Sequence, residues 1–268
     1  MRYALVSDIH ANLEALTAVL KTIDAERVDK IVSLGDLVGY YTNPNECLEI
    51  IRGRAIESVA GNHDRAASGL KEPTWFSDSA KRGIVWTREH LTAESTQFLA
   101  TLPLVKLIDE RFLIVHGALH PQPNEDRYLA SRTEANRSFS ALMRSDSNTN
   151  LCFFGHTHRR IAYEYLDGML SEIADEEVTL KPRAYYLVNP GSVGQSRDGD
   201  PRASFLIFDA DKAAVRFHRV AYDLVACHRK AGEAGLLVDE QGSGRWRRLI
   251  GRLATGRSLT NWNQSRGW

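Results

Sequence analysis

The sequence has few of the features that mark a secreted or membrane-spanning protein. Its 268 residues include only three cysteines, which lie far apart and form no CxxC pair. This scarcity argues against a domain stapled by disulfides and favours a reducing compartment. The chain also lacks an apolar run of membrane-spanning length and a signal-peptide pattern. We therefore expect a cytoplasmic protein with buried thiols at Cys47, Cys152 and Cys227.

Net charge is the second absence. The 34 lysines and arginines balance 34 aspartates and glutamates, so the formal net charge is zero. A chain without net charge exerts no overall pull on nucleic acid or on an anionic membrane, and neither is expected as a partner. The apolar fraction of 43% is ordinary for a globular protein, and the length is sufficient for one domain with a full core.

The C-terminal segment departs from this balance because it is basic. Residues 229–268 contain eight lysines and arginines but three acidic residues. Apolar residues recur there between arginines at helical spacing, at Trp246, Leu249, Ile250 and Leu253. The pattern indicates a basic amphipathic helix, which can lie on a membrane or on nucleic acid but which we expect to dock on the protein itself or on a partner subunit. We divide the chain into a domain (1–230) and a tail (231–268) that would support a homo-oligomer.

The first 65 residues alternate between short apolar runs and helical patterns. The runs Tyr3 to Val6, Lys30 to Leu34 and Ala55 to Ala60 predict strands, while residues 12–26 and Pro44 to Arg52 predict helices. This alternation is typical of a parallel sheet with helical crossovers. In such sheets, ligands bind at the carboxyl ends of the strands.

The rest of the chain continues the mixed pattern without an internal repeat. Helices are predicted over residues 75–101, 133–145 and 221–234. Strands are predicted for Leu104 to Ile108, Phe112 to His116, Leu151 to Phe154 and several short runs between Ile161 and His218.

Polar clusters follow five of the apolar runs. They are Asp8-Ile9-His10, Gly35-Asp36, Gly61-Asn62-His63-Asp64, His116-Gly117 and Gly155-His156-Thr157-His158. Each cluster alone is a weak signal, because turns and solvated loops contain the same residues. Together they have no packing explanation, since buried Asp, His and Asn side chains cost free energy unless they are paired. We interpret the clusters as one site.

The residue types in these clusters select a class of metal. Imidazole and carboxylate ligands together suit Mn, Fe, Zn or Co, and the lack of a thiolate disfavours a structural zinc site. There are more ligands than one ion needs, so we expect two divalent ions about 3.5–4 Å apart. Such a pair clamps the attacking and leaving oxygens of a phosphoryl group. We expect manganese to support activity in vitro.

The five clusters resemble, in order and in residue type, the motifs of the calcineurin-like metallophosphoesterase family. Those motifs are D-x-H, G-D, G-N-H-D/E, H and G-H-x-H. The later stretch Asn189-Pro190-Gly191-Ser192-Val193-Gly194 resembles the small bacterial branch that includes YfcE-type phosphodiesterases and diadenosine tetraphosphatase-like proteins. The resemblance covers about residues 1–220. It implies a four-layer αββα sandwich, with two mixed β-sheets flanked by helices.

The resemblance also implies a division of the metal ligands. The first ion would be held by Asp8, His10 and His158, the second by Asn62, His116 and His156, and Asp36 would bridge the two.

The reaction implied is the hydrolysis of a phosphomonoester, a phosphodiester or a dinucleoside polyphosphate. A hydroxide bridging the ions would attack phosphorus, and His63, oriented by Asp64, would protonate the leaving oxygen. Asn62 and His63 would contact the substrate. Arg197 would receive a substrate anion, with a solvated loop charge as the competing interpretation.

Tyr40 and Tyr41, which follow Asp36 together with Asn43, could stack on a base, so we expect a small, nucleotide-like phosphorylated substrate. Core or rim packing is the more common fate of such rings.

Two other functions stay open at this point. A nuclease acting on nucleic-acid ends has the basic tail as its only support. A non-catalytic scaffold is found among relatives that keep the fold as a protein-binding platform, but those relatives have lost metal-site or general-acid residues that this chain retains. A protein phosphatase is disfavoured because the family's G-D-x-x-D-R-G motif is replaced by Gly35-Asp36-Leu37-Val38-Gly39-Tyr40-Tyr41, which lacks the phosphate-binding arginine.

Overall fold

The computed structural model describes residues 1–123 and 126–237. Within these residues the strands are β1 (Arg2–Val6), β2 (Lys30–Ser33), β3 (Glu57–Ser58), β4 (Val105–Ile108), β5 (Phe112–Val115), β6 (Leu151–Phe154), β7 (Arg160–Leu166), β8 (Met169–Ile173), β9 (Glu177–Thr179), β10 (Tyr185–Pro190), β11 (Ala203–Asp209) and β12 (Ala214–Val220). The helices are α1 (Leu13–Ala25), α2 (Pro44–Gly53), α3 (Asn62–Ala67), α4 (Asp78–His90), α5 (Ala93–Thr101), α6 (Arg132–Met143) and α7 (Leu224–Glu233).

Two mixed six-stranded sheets form the centre of the described part of the chain. The first has the order β3-β2-β1-β11-β12-β9 and the second β4-β5-β6-β10-β7-β8. In the first sheet β1, β2 and β3 are parallel, and in the second β5, β6 and β10 are parallel. Val6 pairs with Ser33 and Ser33 pairs with Ser58, so the three parallel strands of the first sheet end side by side. The loops that follow them therefore leave from one edge.

An aromatic layer holds the two sheets face to face. The ring of Phe112 lies edge-on to Tyr3, Phe153 and Phe208, with centroid distances of 5.0, 5.1 and 5.7 Å. All four rings are buried. Edge-to-face packing of this kind adds about 0.5–1.5 kcal/mol per pair to the free energy of burial. The layer fixes the two sheets, and hence their strand ends, relative to each other.

Helices cover the outer face of each sheet. Leu16 and Val19 of α1 and Leu48 of α2 belong to the cluster that packs on the first sheet. Phe139 and Leu142 of α6 pack on the second sheet. The result is the predicted four-layer αββα sandwich, which is confirmed.

Two predicted elements differ from the structure. The single helix predicted over residues 75–101 is divided into α4 and α5, because the Thr92 side chain accepts a hydrogen bond from the Ser95 backbone and caps a new helix. The strand predicted for Ala55 to Ala60 is reduced to β3. Its extension ends because Ala60 donates its backbone N–H to Pro103 instead of to the neighbouring strand.

The C-terminal helix α7 continues the packed domain past residue 230. Cys227, Ala231 and Leu236 are buried in one cluster with Ala11 and Tyr41. The amphipathic helix predicted for the tail falls almost entirely on residues 238–268, outside the described residues. No helix of the described ranges is long and apolar enough to cross a membrane.

The aromatic layer gives a prediction about stability. Replacing Phe153 by Ala removes a fully buried ring between the sheets and should lower the free energy of unfolding by about 3–5 kcal/mol. Met169→Ala, at a side chain that is 71% exposed, is the control and should change it by less than about 0.5 kcal/mol. Urea denaturation followed by circular dichroism measures both. Equal effects would show that the layer contributes little.

Candidate metal centre

Seven predicted ligands converge between the carboxyl ends of the parallel strands of the two sheets. The first sheet contributes the side chains that follow β1, β2 and β3, and the second those that follow β5 and β6. All seven are buried: Asp8, His10, Asp36, Asn62, His116, His156 and His158. The predicted set is thus brought together in full.

Five of these residues have a left-handed backbone conformation. Their φ angles lie between 52° and 67°, at Asp8, His10, Asp36, His156 and His158. Asp and His enter this region more readily than most residues, but each such position still costs about 1–3 kcal/mol. The surrounding structure therefore holds these loops in shapes that the isolated chain would not favour.

Two glycines allow the loops to approach one another closely. A Cβ atom on Gly61 would lie 2.0 Å from Asp36 Oδ1, and one on Gly155 would lie 2.1 Å from Ser7 Oγ. Both distances are shorter than any real contact, so only glycine fits. The glycines of the predicted motifs thus make room for the carboxylates and the loops that carry them.

The first cluster comprises Asp8, His10, Asp36 and His158, whose ligand atoms all lie within 4.8 Å of one another. His158 Nε2 is 3.3 Å from Asp8 Oδ1. His10 Nε2 is 3.1 Å from His158 Nε2 and 3.6 Å from Asp36 Oδ2.

The second cluster shares Asp36 with the first. It contains Asp36, His116 and His156, again within 4.8 Å. His116 Nε2 is 3.3 Å from Asp36 Oδ2, 3.2 Å from His156 Nδ1 and 3.1 Å from Asn62 Oδ1. Oδ2 of Asp36 therefore faces a histidine of each cluster. Its other oxygen, Oδ1, accepts a hydrogen bond from the His63 backbone at 2.9 Å.

Hydrogen-bond roles in the first cluster point to a cation. Nδ1 of His10 faces the carbonyl of Val38, and Nδ1 of His158 faces that of Gln195. A carbonyl only accepts, so each Nδ1 carries a proton, and when the ring is neutral its Nε2 presents a lone pair. Those two lone pairs face each other at 3.1 Å, where they cannot hydrogen-bond. When two histidine nitrogens bind the same ion, each at ~2.1 Å, the two nitrogens are separated by about this distance.

The second cluster also turns acceptor atoms toward one another. Nδ1 of His116 lies 2.8 Å from the carbonyl of Leu34, so a neutral His116 presents its Nε2 lone pair to Asn62 Oδ1 and Asp36 Oδ2, which are also acceptors. Carbonyl partners of this kind orient histidines that bind metal. The residues present fit two metal ions that share the Asp36 carboxylate.

Burial and charge set the protonation states of the ligands. Burial lowers the pKa of His156 to about 3 and that of His10 well below its ordinary value, so both rings are neutral. Burial alone would lower the pKa of His116 as well, but the Asp36 carboxylate outweighs it and raises the pKa to about 10. Without a metal, a proton on His116 neutralises part of the charge of the cluster.

His63 lies beside the clusters but is not part of them. Its ring is packed between Tyr40 and Phe76, each with a centroid distance of 4.8 Å. Nδ1 is buried without a hydrogen-bond partner among the described residues, and a Cβ on Gly39 would lie 2.3 Å from it. Burial lowers the pKa of His63 to about 4, so the ring is neutral at pH 7 in the protein without substrate.

Asp64 acts on the backbone and not on the His63 ring. Oδ1 accepts hydrogen bonds from the backbones of Leu37 and Val38, and Oδ2 accepts one from Gly61 at 2.9 Å. Asp64 is the residue predicted to orient His63, and both of its carboxylate oxygens are engaged in joining the loop after β2 to the start of α3. Asp64 positions His63 only through the chain that carries it.

The Asn189 to Gly194 stretch joins loops from the two sheets. Asn189 Nδ2 donates to the carbonyl of Gly155 at 2.7 Å. Ser192 Oγ and Gly194 N both donate to the carbonyl of Asp8 at 2.9 Å. The stretch therefore supports the ligands from behind.

The mouth of the site, its solvent-accessible entrance, is formed by Tyr40, Tyr128 and Arg197, of which the sequence patterns did not indicate Tyr128. Tyr128 is half-exposed and stacks on His156 at a centroid distance of 3.9 Å. Arg197 is exposed and donates to the hydroxyl of Tyr40 at 3.2 Å. Tyr41, in contrast, is buried in the core. Tyr128 was missed because its contact joins distant loops and leaves no local pattern.

Comparison with known proteins identifies the family. Residues 1–213 match the calcineurin-like phosphoesterase superfamily domain. An uncharacterised protein of Methanocaldococcus jannaschii is 36% identical over 230 residues, which are 85% of this chain and 90% of that protein. The chain belongs to the calcineurin-like phosphoesterase superfamily, as its motifs predicted.

Solved structures agree with this assignment. A metallophosphoesterase from Sphaerobacter thermophilus is 39% identical, with a TM-score of 0.73 over 95% of this chain and 99% of that one. A hypothetical protein from Pyrococcus horikoshii shares the fold, with a TM-score of 0.70 and 23% identity over 89% of this chain and 95% of that one. At the general level of its family the protein is a hydrolase of phosphate esters with Asp and His clusters that could bind metal.

The shared carboxylate gives a prediction about metal content. Asp36→Ala removes the oxygen that faces both clusters and should abolish binding of both ions. His158→Ala removes a ligand of the first cluster only and should leave about one ion per chain. Equilibrium dialysis against Mn²⁺, followed by elemental analysis, measures the stoichiometry. Equal losses in the two variants would contradict the sharing of Asp36.

The raised pKa of His116 predicts that metal binding releases a proton. Because that pKa is about 10, the ring is protonated at pH 7 and must lose its proton before Nε2 can bind an ion. The apparent metal affinity should therefore rise by up to about tenfold per pH unit between pH 7 and 9. Calorimetric titration in buffers of different ionisation enthalpy counts the protons. An affinity independent of pH would exclude His116 as the proton source.

Proposed function

We propose that the protein hydrolyses phosphate esters with two divalent metal ions held by the paired clusters. The observation that carries the proposal is the convergence of acceptor atoms on both sides of Asp36 Oδ2. We assign the ligands of the first ion as Asp8, His10 and His158, those of the second as Asn62, His116 and His156, and Asp36 as the bridge.

The ions, when bound, would supply Lewis acidity that generates hydroxide at neutral pH and neutralises charge on the phosphoryl oxygens. The chain supplies the rigid geometry. The carbonyls of Val38, Gln195 and Leu34 fix the rings of His10, His158 and His116 through their Nδ1 atoms. Their Nε2 atoms therefore already point toward the positions proposed for the ions, and the rings need not reorient when substrate binds.

His63 is the proposed general acid. Its ring lies 4.7 Å from that of His10, centroid to centroid, at the edge of the first cluster. A pKa of about 4 makes it neutral before substrate binds, and the negative charge of a bound phosphate would raise that pKa toward the protonated form. Asn62 and His63 would contact the phosphoryl group, and Arg197 would receive one of its oxygens.

The proposed substrate is small, phosphorylated and nucleotide-like, since Tyr40 offers an aromatic ring next to the clusters. A substrate panel tests the function: p-nitrophenyl phosphate, bis-p-nitrophenyl phosphate, cyclic nucleotides, diadenosine tetraphosphate and a phosphopeptide. Each is measured with Mn²⁺, with Zn²⁺ and with chelator. We expect metal-dependent turnover of at least one ester. No turnover with any metal would favour a non-catalytic scaffold.

The role of His63 predicts a dependence on the leaving group. His63→Ala should retain its metal, because His63 belongs to neither cluster, but should lose about 10²–10⁴-fold in kcat on an ester with an alkyl leaving group. The loss on a p-nitrophenyl ester should be much smaller, since that group leaves without a proton. Metal analysis is the control. An equal loss on both esters, or the loss of metal, would exclude the general-acid role.

A further inference from the structure

Two tyrosines stand on opposite sides of the mouth, one beside each cluster. The ring of Tyr40 lies 4.8 Å from that of His10, a ligand in the first cluster. The ring of Tyr128 lies 3.9 Å from that of His156, a ligand in the second. Their positions mark the two metal subsites from the outside.

Arg197 connects these tyrosines. It donates to the hydroxyl of Tyr40 at 3.2 Å, and the side chain of Tyr128 lies nearby. Its backbone N–H donates to the carbonyl of His158 at 3.2 Å, which ties it to the first cluster. Arg197 therefore lies beside both of the tyrosines that pack on the ligands of the two clusters.

Arg197 forms no ion pair with a carboxylate within the described ranges, although the buried Asp8 carboxylate acts on it from a greater distance. The two acidic residues of its loop are paired elsewhere: Asp198 binds Arg219, and Asp200 binds Arg202 at 2.6 Å. Arg197 instead contacts neutral oxygens of Tyr40 and Gln195. A guanidinium whose hydrogen-bond partners are neutral, beside a buried centre, is suited to bind an anion.

We propose that Arg197, Tyr40 and Tyr128 form an anion cradle that selects the dianionic phosphoryl group of phosphomonoesters over phosphodiesters. The proposal rests on the proposed function of the metal centre. A phosphoryl group above the clusters turns two of its oxygens toward them. In a monoester, a third charged oxygen remains for the cradle. In a diester that position is taken by an uncharged ester oxygen, which makes a weaker hydrogen bond with a guanidinium.

The first test compares the two ester classes. In Arg197→Met, the ratio of kcat/KM for p-nitrophenyl phosphate to that for bis-p-nitrophenyl phosphate should fall about 10- to 100-fold, the effect of one charge-assisted interaction. Tyr128→Phe keeps the stack on His156 but loses the hydroxyl, and should reduce the same ratio by about two- to tenfold. Arg202→Met, in the same loop but paired with Asp200, is the matched control and should leave the ratio unchanged.

The second test measures binding without turnover. Inorganic phosphate titrated into the Mn²⁺-loaded protein should bind at least about tenfold more weakly to Arg197→Met than to the wild type. Elemental analysis verifies that the variant keeps its metal. If wild type hydrolyses an ester but both the ratio and the phosphate affinity are unchanged in Arg197→Met, the cradle is wrong and the proposed function stands. If wild type hydrolyses neither ester and binds no phosphate, both proposals fail.

Discussion

The architecture of the site depends on one electrostatic constraint: buried acceptor atoms that face one another need a shared positive charge, from a metal ion or from a proton. Neutral rings of His10 and His158 cannot hydrogen-bond to each other through Nε2 at 3.1 Å, and Nε2 of His116 faces two oxygen acceptors. Burying such groups without a cation is costly, so the rest of the fold must compensate. The aromatic layer between the sheets and the left-handed loops at the strand ends are the parts that hold the acceptors in place against this cost.

The carboxylates divide this task between metal and backbone. Asp36 turns one oxygen to the two clusters and the other to the backbone of His63. Asp64 uses both oxygens on backbone N–H groups and so joins the loop after β2 to the start of α3. The carboxylates of two successive motifs therefore have different roles: that of Asp36 faces the clusters, and that of Asp64 holds the backbone. The difference arises from which oxygens are already engaged by the chain.

The sequence predicted the parts of the site that repeat a local pattern. Asp8, Asp36 and Asn62 each follow an apolar run, so parallel strands with aligned ends were sufficient to place them together. The contacts of Tyr128 and Arg197 join loops that are distant along the chain, and the spacing of apolar residues does not predict contacts of that kind. The hydrogen bonds from the backbones of Val38 and Gly61 to Asp64 could not be predicted either, because they join separate loops. The break between α4 and α5 was missed because the capping threonine lies within an otherwise helical pattern.

The division of the ligands between the two sheets has a consequence for the folding and stability of the protein. Four ligands precede residue 63 and three follow residue 115, so neither half of the chain can complete a metal site alone. During synthesis, the first half would leave the ribosome with acceptors that have no cation to share. With the ligands proposed above, the ions could bind only after both sheets have formed, and the first sheet itself needs β9, β11 and β12 from the second half. Binding would then connect the two halves of the chain. Metal supply would thus set how long the folded protein resists unfolding and proteolysis, as well as whether it can act.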